Sequence, residues 1–360
     1  MRVVVTGGAG FVGANLAVGL AQRHRDWEIV GLDNLRRRGS ELNLPRLREA
    51  GVEFVHGDVR ERSDLDALGD LDVLIECSAE PSVMAERKGE AAYVVEANLN
   101  GAWHCIELAV ERRAQLVFLS TSRVYPIAAL RSLALEEGEG RFELSEQQPL
   151  AGASRAGIGE GFPLEGARTL YGTTKLAVEL LIAEYREAAG LRAVIDRCGV
   201  IAGPWQMGKV DQGVFAHWML SHVFGLPLSY IGYGGGGKQV RDLLHVEDLL
   251  ELVEDQILRG EHWDGATVNV GGGRDGSLSL SETTELCREI SGREIEISSQ
   301  AEDRPGDVPL YISDCRRARE LGDWVPKRSP RDILEEIHGW IRDNEDVLRR
   351  ALAVNETTPR

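Results

Sequence analysis

A tyrosine and a lysine four residues apart are the residues of this sequence best suited to chemistry. They stand in the stretch Tyr171-Gly-Thr-Thr-Lys175, in a chain where only five of the 41 lysine and arginine residues are lysines. On a helix, residues i and i+4 share a face, so the ammonium group lies near the phenol and favours its ionised form. The alternative is an exposed pair on a solvated helix face. The spacing favours the first interpretation, in which Tyr171 is a base and Lys175 tunes it.

Three hydroxyl residues, Ser120-Thr121-Ser122, provide a partner for that pair at the end of an apolar run. A hydroxyl donor, a phenol and an ammonium group suit the oxidation of an alcohol, because one group takes the hydroxyl proton while a nicotinamide cofactor takes the hydride. An ordinary tyrosine has a pKa near 10, and lowering it by about 3 units needs about 4 kcal/mol. Lys175 and the positive charge of a nicotinamide are the expected sources.

The elements that must position these side chains alternate between strands and helices. Short β-branched runs predict strands near residues 2–6, 28–33, 52–57, 72–77 and 115–120. A helix over 171–189 and a strand over 192–198 follow. In such βαβ units the carboxyl ends of parallel strands form the ligand-binding edge. The sequence therefore predicts an α/β fold: a Rossmann-like doubly wound parallel sheet with a smaller C-terminal α/β substrate-binding lobe.

The domain organisation follows from where this pattern breaks. We expect a Rossmann domain over residues 1–200 with an insertion at 127–166, a substrate-binding lobe over 201–345 that is partly interleaved with the core, and a tail over 346–360. The insertion is rich in Glu and Gly and reads as a long, partly ordered surface segment, either a lid or a disordered loop. Short helices are predicted in the second lobe near 213–224, 246–258, 280–290 and 330–345.

Composition excludes several classes of protein. With 43% hydrophobic and 28% charged residues the chain is an ordinary globular one, and its net charge of -17 argues against a nucleic-acid-binding surface. The five cysteines are scattered and read as reduced thiols, and no His or Cys spacing suggests a metal centre. Neither a signal peptide nor a membrane-spanning run is apparent. We therefore expect a cytoplasmic protein without metal, nucleic acid or membrane partners.

A glycine-rich turn after the first strand predicts a dinucleotide site. Thr6-Gly-Gly-Ala-Gly-Phe-Val-Gly13 places glycines at 7, 10 and 13. Gly7 allows the tight turn, Gly10 admits a pyrophosphate, and Gly13 lets the following helix pack closely. The helix N-terminus then presents N–H groups to the phosphates. An ordinary glycine-rich turn is the alternative.

Acidic residues after the next two strands select the cofactor. Asp33 lies twenty residues beyond Gly13, where a carboxylate accepts hydrogen bonds from ribose hydroxyls and repels a 2′-phosphate, which favours NAD over NADP. The basic run 36–38 leaves NADP open as an alternative; its other interpretations are a solvated turn and a contact with the phosphates. Asp58 and Val59 follow the third strand and are expected at an adenine edge, with a simple turn as the alternative.

These motifs together resemble the extended short-chain dehydrogenase/reductase superfamily, the family of NAD-dependent nucleotide-sugar epimerases and dehydratases. The resemblance rests on GxxGxxG, a hydroxyl residue before Val124-Tyr125, and Tyr-x-x-x-Lys. It implies that Tyr171 is the base, that Lys175 binds the nicotinamide ribose, and that Thr121 holds the reacting oxygen, with Ser120 and Ser122 as fallbacks. It also implies cofactor contacts from Phe11, Val12, Asn34, Ser78, Ala79, Asn98 and Cys198, and substrate contacts from Glu80 and Ser82.

Within that superfamily the chain looks most like the 2-epimerase branch that acts on CDP-paratose. The stretches that resemble this branch are 33–39 with Asn43-Leu44, 53–58, 211–213, 237–245, and Asn269-Val-Gly-Gly with 277–280. Dehydratases place Asp-Glu after the catalytic Thr, but this chain has Ser122-Arg123, so epimerisation or simple oxidation is favoured over loss of water. The resemblance implies that Tyr171 takes a sugar hydroxyl proton as hydride passes to NAD, and that the ketone turns and receives hydride on its other face. A 4-epimerase, a net dehydrogenase and a non-catalytic NAD-sensing regulator remain alternatives. Departures from the branch occur at Tyr125-Pro126 and Gly203-Pro-Trp-Gln206.

The substrate is expected to be a nucleotide sugar, and local cations must neutralise its diphosphate. The residues proposed to bind it are Lys238, Arg241 and Arg304, with Gln206, Asp211 and Gln212 as sugar or nucleotide contacts. Arginine suits phosphate because of its planar fork, although solvated charges are the alternative for each. The resemblance also implies a homodimer that forms through helices at 98–113 and 171–189.

Overall fold

A parallel seven-stranded sheet forms the centre of the computed structural model, which describes residues 1–81, 89–208 and 213–351. In spatial order its strands are Thr267–Val270, Arg192–Cys198, Gln115–Thr121, Val73–Glu76, Arg2–Thr6, Glu28–Asp33 and Glu53–His56. Every neighbouring pair runs parallel, with Val3 opposite Ile29 on one side and Val73 on the other. The predicted Rossmann-like doubly wound fold is confirmed.

The central strands are mostly apolar because helices cover both faces of the sheet, with buried polar exceptions such as Asp196 and Arg197. Val3 and Val5 point into one core, where the helices Phe11–Arg23 and Val246–Leu258 pack. Val4 points into the other core, against Ala102–Arg112 and Leu170–Ala189. Alternation along each strand thus feeds two hydrophobic layers.

The chain reverses its direction of winding beside the first strand. From Arg2–Thr6 it adds two strands on one side, then crosses to Val73–Glu76 and continues on the other. The crevice at the carboxyl ends of strands that flank such a switch point is where ligands bind in this architecture. Asp33, Glu76, Thr121 and Cys198 all end strands at that edge.

Apart from three longer helices in the C-terminal part, which are described below, the remaining helices are short. They comprise Leu44–Ala50, Arg62–Asp66, Ala91–Val95, Ile127–Arg131, Gly260–Trp263, Arg316–Gly322 and Glu345–Ala351, the 3-10 turns Ser40–Asn43, Ser122–Val124 and Tyr233–Gly235, and a π-helical segment at Glu96–Gly101. None of the helices in the described part of the chain is long and apolar enough to cross a membrane.

A smaller sheet follows in the C-terminal part. Its strands are Val200–Ala202, Val240–His245, Ser277–Ser279 and Leu310–Tyr311, and a separate pair joins Leu228–Ile231 to Ile297–Gln300. The helices Val214–Phe224, Leu280–Ser291 and Pro330–Asp343 pack into a common core. Since Thr267–Val270 returns to the central sheet, the two parts of the chain interleave, and the division at residue 200 stays a prediction.

The segment 127–166 is more structured than a surface loop. It contains the hairpin strands Leu135–Glu137 and Phe142–Leu144 and a second small pair, Ala153–Ser154 with Gly157–Ile158. Phe162 is only 2% exposed and packs in a core with Val240 and Leu310. The predicted tail also begins with an ordered turn of helix, in which Leu348 is buried, while residues 352–360 lie outside the described chain.

Candidate active site

The glycine-rich turn leaves an open, positively polarised helix end. Gly7 has φ of 64°, and a Cβ at Gly13 would stand 2.2 Å from the carbonyl oxygen of Gly7, so the helix packs directly on the turn. Gly10 caps the helix Phe11–Arg23 without any side-chain hydrogen bond. The first N–H groups of the helix therefore face the adjoining cavities, which suits a dinucleotide pyrophosphate.

The adenosine side of the predicted cofactor site is a cavity of about 500 Å³. Asp33 accepts hydrogen bonds from the backbone N–H of Ala9 (3.1 Å) and Leu35 (2.7 Å), which fix its carboxylate at the cavity wall. Burial raises the pKa of Asp33 above its usual value. The guanidinium of Arg36 lies 3.9 Å from the ring centre of Tyr93, so this member of the basic run forms part of the wall.

Asp58 lies at the same cavity and is held ionised. Burial alone would raise its pKa, but hydrogen bonds from Arg60 (2.7 Å) and Asn34 (2.9 Å) lower it to about 2. A fixed carboxylate and the apolar Val59 beside it match the composition expected at an adenine edge. Ser78, Ala79 and Glu80 line the cavity as well.

The predicted catalytic residues Thr121, Tyr171 and Lys175 meet in an adjoining cavity of about 330 Å³, called the catalytic cavity below, which Cys198 also lines. Thr169 caps the helix Leu170–Ala189 by accepting a hydrogen bond from the N–H of Gly172 at 3.2 Å. A Cβ on Gly172 would stand 2.1 Å from the carbonyl oxygen of Arg123, so only glycine lets the helix approach the end of strand Gln115–Thr121. This approach brings the phenol to the hydroxyl residues.

Among those hydroxyl residues the geometry favours Thr121. Its hydroxyl hydrogen-bonds with Tyr171 and also accepts from the N–H of Arg123 at 3.2 Å. Ser120 instead donates to Glu179, whose carboxylate pairs with Arg197 at 2.6 Å. Ser122 lines the cavity beside Thr121.

The protein's own charges do not by themselves turn Tyr171 into a base. Burial raises the pKa of Tyr171, whereas Lys175 and the hydrogen bond with Thr121 act in the opposite direction. Burial would lower the pKa of Lys175, but the neighbouring Glu76 and Tyr171 raise it, so the ammonium stays charged. Lys175 thus acts in the predicted direction, but a further positive charge is needed to ionise the phenol near neutral pH.

A second cavity of about 480 Å³ opens beside the catalytic one, lined by Arg123, Arg241, Arg304 and His217. Arg241 pairs with Asp307 at 2.7 Å. Arg123 lines both cavities, and within the described chain its guanidinium has no carboxylate partner, donating only to the carbonyl of Gly306 at 3.3 Å. Burial and the proximity of Arg241 lower the pKa of Arg123. A cationic junction therefore joins the two cavities.

Not every predicted site residue lies at a cavity. Lys238 lines neither of the two and pairs with Glu137 at 2.8 Å, so it braces the insertion instead. The side chain of Asn98 bonds the backbone of Glu80 through its oxygen (2.7 Å) and nitrogen (3.1 Å), which fixes the loop after Val73–Glu76. Gln206 lines the catalytic cavity. Ser82, Asp211 and Gln212 lie outside the described residues.

Two residues at the site were not predicted from the sequence. Glu76 ends a central strand, and Arg123 was considered only as a replacement for an acid. No spacing signal points to Glu76, because its partner Lys175 is 99 positions away. For Arg123 the available signal was that it stands where dehydratases carry an acid, since a cation at that position changes the charge of the catalytic cavity.

Known proteins with similar sequences and structures span nearly the whole chain. A model of the NAD dependent epimerase/dehydratase family matches residues 3–271. CDP-paratose 2-epimerase of Salmonella typhi is 27% identical over 348 residues, covering 94% of this chain and 99% of that protein. The low-salt glycan biosynthesis protein Agl12 of Haloferax volcanii is 30% identical, covering 93% and 96%. The solved UDP-glucose 4-epimerase of Thermus thermophilus in complex with NAD superposes with a TM-score of 0.75 at 25% identity, covering 95% and 99%.

Proposed function

Because the chain belongs to the NAD-dependent epimerase/dehydratase family and is thus an NAD-dependent nucleotide-sugar enzyme, we propose a specific reaction for it. It inverts a carbon of a nucleotide-linked hexose by transient oxidation. We assign the inversion to C2 of a CDP-linked or related substrate. Similarity to CDP-paratose 2-epimerase over 94% of the chain supports that choice.

The composition of the catalytic cavity carries the choice of epimerisation over dehydration. Its described lining residues include a phenol, four aliphatic hydroxyl groups, an ammonium group and guanidinium groups, but no carboxylate. Loss of water from a sugar requires an acid and a base besides the group that handles the hydroxyl proton. Arg123 and Ser122 occupy the wall next to Thr121 and cannot serve as that pair, because a guanidinium stays protonated and an ordinary serine hydroxyl is a weak acid.

The mechanism assigns proton handling to Tyr171. NAD, when bound, supplies the hydride acceptor and donor and a positive charge beside the phenol. Tyr171 takes the proton of the reacting hydroxyl, and Thr121 hydrogen-bonds the same oxygen and holds it in place. Lys175 stabilises the phenolate, and after the keto-sugar has turned, Tyr171 returns the proton. The net reaction is an isomerisation without redox change.

Binding must hold the nucleotide while the sugar turns. We assign this to Arg241 and Arg304 in the second cavity and to Arg123 at its junction with the catalytic cavity. Guanidinium groups bind diphosphate oxygens in a fixed geometry. A nucleoside diphosphate anchored there leaves the hexose free to present either face to Tyr171.

A panel of CDP-, GDP- and UDP-sugars incubated with the holoprotein in deuterated buffer tests the proposal. The products are analysed by NMR. We expect one sugar to give an epimer that carries no solvent deuterium at the inverted carbon. Inversion at C4 would contradict the assignment of C2 but keep transient oxidation. Solvent deuterium at the inverted carbon would indicate enolisation and refute hydride return. Free NADH that accumulates without an epimer would show a net dehydrogenase instead.

We also propose that the chain forms a homodimer. Trp103, 40% exposed, and Leu180, 66% exposed, lie on the helices Ala102–Arg112 and Leu170–Ala189, which pack side by side. Large exposed apolar side chains on adjacent helices favour association. Light scattering should give a dimer for the wild type and a smaller species for Leu180→Glu, and a wild-type monomer would refute the proposal.

A further inference from the structure

Glu76 forms a buried ion pair with the lysine of the catalytic cavity. Its Oε2 lies 3.3 Å from Nζ of Lys175, and the two side chains are only 1% and 2% exposed. The hydroxyl of Ser78 donates to the other carboxylate oxygen of Glu76. The ammonium of Lys175 also lies 4.2 Å above the ring centre of Phe118, so its position is fixed from two sides.

We propose that Glu76 is a positioning residue that offsets the charge of Lys175, so that Tyr171 can both take and return a proton within one turnover. The inference rests on the proposed role of Tyr171 and is independent of which carbon is inverted.

The balance of charge in this buried site sets the free-energy cost of ionising Tyr171. With Glu76 ionised and Lys175 protonated, the pair is neutral, and ionising Tyr171 creates a net negative charge. Without the carboxylate, the same ionisation cancels the positive charge of Lys175, which costs less. A lysine acting alone would hold the phenol ionised and make it a poor acid for the return step. Glu76 therefore moderates the base so that it works in both directions.

The other titratable groups around Tyr171 leave this balance intact. Lys175 approaches from the same helix, Glu76 from strand Val73–Glu76 and Arg123 from the 3-10 turn Ser122–Val124. Arg123 is common to wild type and variants, so its effect on Tyr171 cancels when they are compared. Cys198 and Cys77 contribute thiols whose pKa burial raises well above the usual value. Those thiols are neutral in the working range. Burial raises the pKa of Asp196, on strand Arg192–Cys198, to about 7, and its carboxyl group accepts a hydrogen bond from Gln256. Because Asp196 is common to wild type and variants, its contribution cancels when they are compared.

A titration of the phenol itself tests the proposal without any substrate. The tyrosinate absorbance of the NAD-loaded protein is recorded against pH, and the curve of Tyr171→Phe is subtracted to isolate one phenol. The same pair of curves is recorded in a Glu76→Gln background. We expect the Tyr171 midpoint to fall by about one unit or more in that background. Glu179→Gln is the matched control. Glu179 is a second buried carboxylate, but it lies on the helix Leu170–Ala189 and does not pair with Lys175, so its removal should leave the Tyr171 midpoint unchanged.

A second variant keeps the test decisive if Glu76→Gln does not fold. Glu76→Asp retains the charge but draws it away from Lys175, so its midpoint should lie below that of the wild type and above that of Glu76→Gln. A midpoint that stays in place or rises in the folded variants would overturn the proposal. The outcome does not depend on nucleotide-sugar turnover, so failure here is distinct from failure of the proposed function.

Discussion

Asp196 gives the protein a pH-dependent stability that can be calculated from its surroundings. The residue lies on Arg192–Cys198, the strand next to one edge of the central sheet, and is fully buried. Its Oδ1 accepts a hydrogen bond from Gln256 at 2.8 Å, while Oδ2 has no partner within the described chain. Burial raises the pKa of Asp196 from 3.8 to about 7. The unfolded chain has no such burial, so the folded protein binds this proton more tightly.

The sign follows from linkage. Below about pH 4 the carboxyl group is protonated in both states, and its full contribution to stability is present. As pH rises towards 7 the unfolded state loses the proton first, so the free energy of unfolding falls, and above 7 the loss is complete. A shift of roughly 3 units corresponds to about 4 kcal/mol in total, of which about 2.5 kcal/mol is lost between pH 5 and pH 8.

Asp196→Asn removes this titration and preserves the shape of the side chain. We expect the free energy of unfolding of the variant, relative to that of the wild type, to be about 2.5 kcal/mol greater at pH 8 than at pH 5. Urea unfolding of both proteins at both pH values measures that difference, and all other titrations cancel in it. A difference that does not change with pH would refute the assignment of a raised pKa to Asp196.

Three further predictions concern the site. Tyr171→Phe should lower kcat by 10²-fold or more while NAD binding, followed by fluorescence, is kept, and retained turnover would contradict its role as the base. Asp33→Ser should raise the affinity for NADP relative to NAD by roughly tenfold, because the carboxylate no longer repels a 2′-phosphate; calorimetry with both cofactors measures the ratio. Arg241→Gln should raise KM for the nucleotide sugar by roughly tenfold to a hundredfold and leave NAD binding unchanged. An effect on NAD binding instead would place Arg241 outside the substrate site.

Six of the seven central strands could be predicted from the sequence because most of them are buried on both faces, whereas the edge strand Thr267–Val270 was not predicted. Continuous β-branched runs then stand out, and the predicted strand over 192–198 agrees with Arg192–Cys198 residue for residue. Helix ends were equally readable where side chains cap them. Thr169 caps the helix Leu170–Ala189, and Ser279 with Glu282 forms a capping box at the start of Leu280–Ser291.

Contacts between distant parts of the chain could not be predicted in this way. The segment 127–166 lacks periodicity because its strands are two or three residues long, and it is ordered by packing Ile158 and Phe162 against the second lobe. Lys238 fitted a phosphate-binding motif, yet the structure pairs it with Glu137, a residue of that same insertion. No local pattern records such a pairing, since either partner alone resembles a solvated surface charge.

The same reasoning explains why the class of reaction was readable and the substrate was not. Gly172 lets the helix Leu170–Ala189 approach the backbone at Arg123, so the predicted base Tyr171 and Thr121 are positioned by that helix and by the end of strand Gln115–Thr121. Local motifs specify that unit almost completely. The cations proposed to bind the substrate come from the 3-10 turn at Arg123, the strand at Arg241 and the loop at Arg304, which meet only through tertiary packing. The composition of this proposed substrate site thus depends on the relative placement of three distant segments, which spacing along the chain does not encode.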